Sequence, residues 1–136
     1  MAPGDPADPL QHNVTVTPVF GPFAGRRVDF TLQFPPDYPF RGPRIRCRQA
    51  IFHPNIDVGG GVCLNILRLE WSPVHTLEHL LVGLLNIMTE PYPEDPLNKS
   101  AADIMLQDPR RYVEIVNLTI AGGTFDGVAF SALDRA

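Results

Sequence analysis

Fifteen prolines stand among the 136 residues, and their placement decides where regular structure can form. Each fixes its own φ, lacks an N–H and pushes the preceding residue towards extended geometry. Pro3, Pro6 and Pro9 leave no helix room to establish itself, so residues 1–12 read as a flexible lead-in to a domain over 13–136. Pro35, Pro36, Pro39 and Pro43 stiffen a loop that displays Tyr38 and Phe40. Its rings either cap the core or offer a partner a preformed anchor. Pro91, Pro93 and Pro96 make residues 90–97 an extended acidic loop. With eleven glycines added, many turns should surround modest regular structure.

Between the prolines the apolar pattern is legible. Val14 and Val16, with Val19 as a candidate extension, alternate as a half-buried strand should. Val28, Phe30, Leu32 and Phe34 alternate against Asp29, Thr31 and Gln33 in the clearest strand of the chain. Arg44 to Arg48 alternates again and sets Cys47 beside Ile45 on the apolar face, which reads as structural. Short turns between these runs predict an antiparallel meander of about four strands, with residues 52–63 leaving its far edge. Thr76 caps a helix running to about Glu90, with Leu77, Leu80, Leu81, Leu84, Leu85 and Met88 at helical spacing to cover the sheet. Asn98 caps a short helix over 100–107. Asp108 with Pro109 starts another, which carries Tyr112, Val116 and Ile120 on one face and stops at Gly122-Gly123. Phe125 and Phe130 should pack back on the domain. The class is α+β, a meander sheet backed by helices.

A net charge of −4 argues against a general nucleic-acid binder. The balance of 44% hydrophobic and 19% charged residues fits a soluble globular protein. Two cysteines, no signal-peptide pattern and no long apolar span predict a reducing cytoplasmic or nuclear setting, away from membranes.

The most chemically informative stretch is Phe52 to Leu67. His53-Pro54-Asn55 sets a stiff turn, Gly59-Gly60-Gly61 frees the backbone, and Cys63 follows within a short apolar run. A cysteine delivered eight residues beyond a carboxamide is a candidate nucleophile, and equally a small buried hydrophobe. Metal binding has little support. His75 and His79 are four residues apart, but His75 precedes the helix cap and Cys47 and Cys63 are not a zinc-knuckle pair. A thiol hydrolase would need His53 as base, although a histidine before a proline equally serves loop backbone.

His53-Pro54-Asn55, Cys63, Trp71-Ser72-Pro73 and Pro93-Glu94-Asp95-Pro96-Leu97 agree in order and spacing with one family. The chain resembles the ubiquitin-conjugating enzymes from about Val14 to its end, with Tyr38-Pro39-Phe40 where that family has a proline-rich loop. Within it, Cys63 to Leu67, including Asn65, and Glu90 to Lys99 are most similar to the branch conjugating the cullin-modifying, ubiquitin-like protein of the neddylation pathway. Ubiquitin-specific members more often have Asp at the position of Asn65.

The resemblance implies that Cys63 takes the modifier's C-terminal carboxyl from an activating enzyme as a thioester and passes it to a lysine. Thiol–thioester exchange is nearly energy-neutral, and an ordinary thiol supplies a few per cent thiolate at neutral pH, so no histidine base is required. Asn55 would donate to the oxyanion of the second step or brace the loop. Asp95 would orient the acceptor lysine, of which roughly one in a thousand is neutral near pH 7.4. His53 and Pro54 are assigned to structure, and Tyr92 stands where the family more often has Asn. Phe40, Trp71, Ser72 and Pro73 sit where members contact ligases, with Trp71 also a candidate for the core. The implied partners are an activating enzyme, a ubiquitin-like modifier, a RING-type ligase and a cullin-like substrate, without nucleic acid or membrane. No cofactor or metal is expected on the chain, because ATP is consumed upstream by the activating enzyme. Members open with an amphipathic helix, and the neddylation branch adds a docking peptide, where this chain has its proline-broken lead-in. That departure implies weaker docking to the activating enzyme. Ubiquitin as cargo, or a non-catalytic variant that binds partners through the same fold, are the alternatives.

Overall fold

The computed structural model describes residues 9–64 and 71–136. Strands β1 (Gln11–Val16), β2 (Val28–Gln33) and β3 (Arg44–Cys47) form an antiparallel sheet in the order β1-β2-β3. Its register sets Phe30 opposite Val14 and Cys47, and Leu32 opposite Ile45. The period-2 pattern explains the choice, because a one-residue slip would turn Val28, Phe30 and Leu32, all fully buried, into water.

The sheet departs from expectation in three places. β1 begins at Gln11, inside the stretch read as a lead-in, while residues 1–8 lie outside the described part. Val19 does not prolong β1. It is 75% exposed in a loop that turns back when Gly25 N–H donates to the Pro18 carbonyl at 2.8 Å. The fourth strand reduces to isolated bridges, Arg46 with Gly61 and Ile56 with Val62. The cause is the glycine loop. Asp57 accepts from the Gly59 and Gly61 amides at 2.8 and 3.1 Å and curls the chain away from the ladder.

Gly60 closes that curl at φ +102°, with its carbonyl accepting from Cys47 N–H at 2.8 Å. A Cβ there would lie 2.7 Å from the Cys47 carbonyl oxygen. Gly60→Ala is therefore expected to lose about 2 kcal/mol of stability, read as a lowered denaturant midpoint. Gly25→Ala is the comparison. It shares a positive φ, +75°, but its Cβ would meet nothing within 4 Å, so its loss should be smaller.

Helix α1 spans Leu77–Thr89. Thr76 Oγ1 accepts from His79 N–H, and His79 Nδ1 accepts from Thr76 N–H, which makes a capping box with histidine in the place of the usual glutamate. The helix buries a narrower stripe than its sequence offers. Leu80, Leu84 and Met88 are fully buried, whereas Leu77 and Leu85 are exposed. Leu84 and Met88 join the cluster that holds Val28, Phe30 and Leu32. Each such side chain contributes roughly 1.5–3 kcal/mol of transfer free energy.

Helices α2 (Lys99–Gln107) and α3 (Pro109–Ile120) follow, with Asn98 and Asp108 as their caps. α3 turns Tyr112, Ile115, Val116, Thr119 and Ile120 inward, and the Tyr112 hydroxyl donates to the Phe52 carbonyl at 3.1 Å. That bond ties the last helix to the residue before His53. A hairpin of β4 (Thr124–Phe125) and β5 (Val128–Ala129) then sets Phe125 and Phe130 against Phe52, at ring-centre distances of 5.3 and 5.9 Å.

Candidate active site

His53, Pro54 and Asn55 are all buried, and their ring, carboxamide and carbonyl atoms bond to backbone groups. His53 Nδ1 accepts from Asn55 N–H at 2.9 Å, which leaves Nε2–H to donate to the Ile87 carbonyl at 2.7 Å. The ring thus bridges the turn to α1. Burial disfavours the imidazolium and pulls the pKa from 6.5 down to about 4 against the weaker pull of the Ile87 carbonyl. A neutral ring locked between two backbone groups is a strut. It does not have a nitrogen spare to serve as base.

A pH dependence of stability follows. An unfolded chain takes up a proton near pH 6.5, whereas the folded ring refuses it until about 4. The contribution of His53 is complete above pH 6.5 and is lost progressively as pH falls towards 4. The total is on the order of 3 kcal/mol. Urea midpoints for the wild type should fall across that window, and His53→Gln should flatten this part of the slope.

Asn55 binds the distant loop by both ends of its carboxamide. Oδ1 accepts from Tyr92 N–H at 2.7 Å, and Nδ2 donates to the Tyr92 carbonyl at 2.6 Å. Its own carbonyl accepts from Cys63 N–H at 2.9 Å. The Pro54 carbonyl accepts from Leu97 N–H and Asn98 N–H at 2.8 and 3.0 Å. Two consecutive residues, Pro54 and Asn55, therefore pin the half-buried Cys63 on one side and both ends of the 92–98 loop on the other. Asp95 is exposed between those two anchors. The backbone at Cys63 and the loop that carries Asp95 are thereby tied to the same turn.

The other cysteine is placed differently. Cys47 is buried beneath the sheet and its Sγ–H donates to the Gln49 carbonyl at 3.2 Å. Burial, with the nearby Asp29 charge adding a little, pushes its pKa up to about 11. Such a thiol is inert.

Phe40 is 74% exposed at the tip of the proline loop, while Tyr38 turns in against Phe34 with ring centres 4.7 Å apart. Trp71 serves the scaffold. Its Nε1–H donates to the Pro39 carbonyl at 2.9 Å and its ring lies 6.0 Å from that of Tyr38. Ser72 is half-buried and its carbonyl accepts from His75 N–H at 3.0 Å, leaving Pro73 exposed beside Phe40's loop. Asn65, on which the choice of modifier branch leans, lies outside the described residues. Sequence reading missed Ile87, Tyr92 and Tyr112 as supports of the site. The first two act through their backbone, which leaves no trace in side-chain identity.

The ubiquitin-conjugating enzyme family model matches residues 3–120. The chain belongs to the ubiquitin-conjugating enzyme family. It is similar to the NEDD8-conjugating enzyme UBC12 of Eremothecium gossypii, 44% identical over 85% of this chain and 62% of the relative. The enzyme of that name from Saccharomyces cerevisiae is 43% identical over 86% of this chain and 62% of its own length. A solved structure of S. cerevisiae Ubc12 superposes with a TM-score of 0.87 at 41% identity, over 90% of this chain and 65% of that one. The chain thus spans a little under two thirds of these relatives.

Proposed function

We propose that this family member is a conjugating enzyme that carries NEDD8, the modifier named for its relatives, as a thioester on Cys63 and transfers it to a substrate lysine. The observation that carries the reading is the bonding of Asn55, whose carbonyl holds the Cys63 amide while its carboxamide holds Tyr92. Loading is an exchange. The Cys63 thiolate attacks the thioester carbonyl on the activating enzyme, the new C–S bond replaces the old one, and the activating enzyme's thiolate leaves. Transfer follows when a neutral lysine amine attacks that carbonyl, Cys63 leaves as thiolate, and the nitrogen's proton passes to solvent or to a nearby acceptor.

Asp95 orients the incoming amine from between the two anchors of its loop. Asn55 keeps that loop in place and, in the transfer step, donates from Nδ2 to the oxyanion. Phe40 and Pro73, exposed on adjoining loops, provide the contact for a ligase of the RING type, and a cullin-like protein is the acceptor. A thioester on Cys63 suits the reducing cytoplasm or nucleus. The test is to incubate the protein with ATP, an activating enzyme and either NEDD8 or ubiquitin, each with its own activating enzyme. A reductant-sensitive adduct with NEDD8 in preference is the expected result. Efficient ubiquitin loading alone would reverse the choice of cargo, and no adduct with either would identify a binding module.

A further inference from the structure

Beyond the thiol and its loop, the fold builds a cavity of about 260 Å³ that the chemistry above leaves unused. Its floor is the aromatic cluster of Phe52, Phe125 and Phe130, packed edge to face. Val58 and Leu97, both more than 40% exposed, form apolar lips at its mouth. The volume falls below the range typical of cofactor and drug-sized ligand sites, and suits one large apolar side chain.

The rim is acidic. Asp57 and Asp126 both line it, whereas the charge of Lys99, its one cation among the described residues, is matched by Asp103 at 2.7 Å. The cavity is also tied to the candidate active site through two links of the chain. Phe52 directly precedes His53, and Leu97 is held by the Pro54 carbonyl two residues after Asp95. The chain from Asp95 to Lys99 can span at most roughly 14 Å, so an extended acceptor reaches from one place to the other within about four residues.

We infer that this cavity reads the acceptor, taking an apolar side chain a few residues from the target lysine in a segment that also carries a basic residue for the Asp57–Asp126 rim. The inference rests on the proposed activity for its consequence. Its recognition step is independent of the thiol.

Labelled lysine peptides that differ in one apolar position (Leu or Ala) and one flanking charge (Arg or Glu) test it in two ways. Anisotropy with the uncharged protein reads binding, and single-turnover discharge of the loaded protein reads the ratio of peptide to free-lysine transfer. The Leu/Arg peptide should half-saturate at about tenfold lower concentration than the Ala/Glu peptide. Val128→Gln, in the cavity wall, should narrow the Leu-to-Ala gap. Asp126→Asn should narrow the Arg-to-Glu gap while keeping a residue that tolerates the observed φ of +50°. If a variant does not fold, the peptide series on the wild type still decides. Equal binding of all four peptides, with normal discharge to free lysine, overturns the cavity assignment alone. No thioester together with an intact binding difference would sink the proposed activity and support the cavity.

Discussion

Cys63→Ala is expected to form no modifier adduct at all, and Cys63→Ser an adduct that survives reductant. The serine hydroxyl would stand at the same point of the turn, held by the same hydrogen bond from the residue's N–H to the Asn55 carbonyl, and would form an oxyester in place of the thioester. Cys47→Ser should still charge. Its thiol lies beneath the sheet with its pKa raised to about 11, so it offers neither access nor thiolate near neutrality. The effect of that substitution should fall on stability, because a hydroxyl would be set among Phe30, Ile45 and their neighbours with the Gln49 carbonyl as its partner. Gel shifts with and without reductant separate these cases. An adduct that persists in Cys63→Ala and vanishes in Cys47→Ala would reverse the assignment.

The second large effect belongs to Asn55. Asn55→Ala should charge within a few-fold of the wild type but transfer its modifier to lysine on the order of a hundredfold more slowly, the loss seen when one oxyanion donor is removed. Some of that loss comes from the loop. The substitution strips Tyr92 of both of its partners in the Asn55 carboxamide, at about 1–3 kcal/mol for groups left unsatisfied. Hydrogen exchange at the Tyr92 amide reports the bracing, and single-turnover discharge to free lysine reports the sum. Asp95→Ala removes a side chain exposed between the anchors, so it should slow discharge while leaving Tyr92 protected. Wild-type discharge by both variants would show that neither residue has the role given to it.

The two effects differ in what they ask of the fold. In the proposed mechanism, charging needs Cys63 presented on its turn, which the Gly60 curl and the His53 strut maintain. Transfer also needs the 92–98 loop held in register with that turn, and this depends on side-chain bonds across 37 residues of sequence.

The strands β2 and β3, the caps Thr76, Asn98 and Asp108, and the inward face of α3 were determined by the sequence itself. Each rests on interactions within a few residues: alternation at period two, a side chain closing on an amide three positions ahead, or a proline at a first helical position. The motif residues likewise stood out, because His53, Pro54, Asn55 and Cys63 share one short segment. Tertiary structure decided what local pattern leaves open. It chose the narrow stripe Leu80, Leu84 and Met88 from a broader apolar face, and it reduced the expected fourth strand to single bridges once Asp57 had captured the glycine amides. It turned Trp71 into a tie for the Pro39 carbonyl and left Phe40 outside. Above all it gave His53 and Asn55 their partners, the backbone of Ile87 and Tyr92, 34 and 37 residues away. A backbone amide is the same at every non-proline residue, so no composition or spacing could mark which one a buried side chain would find.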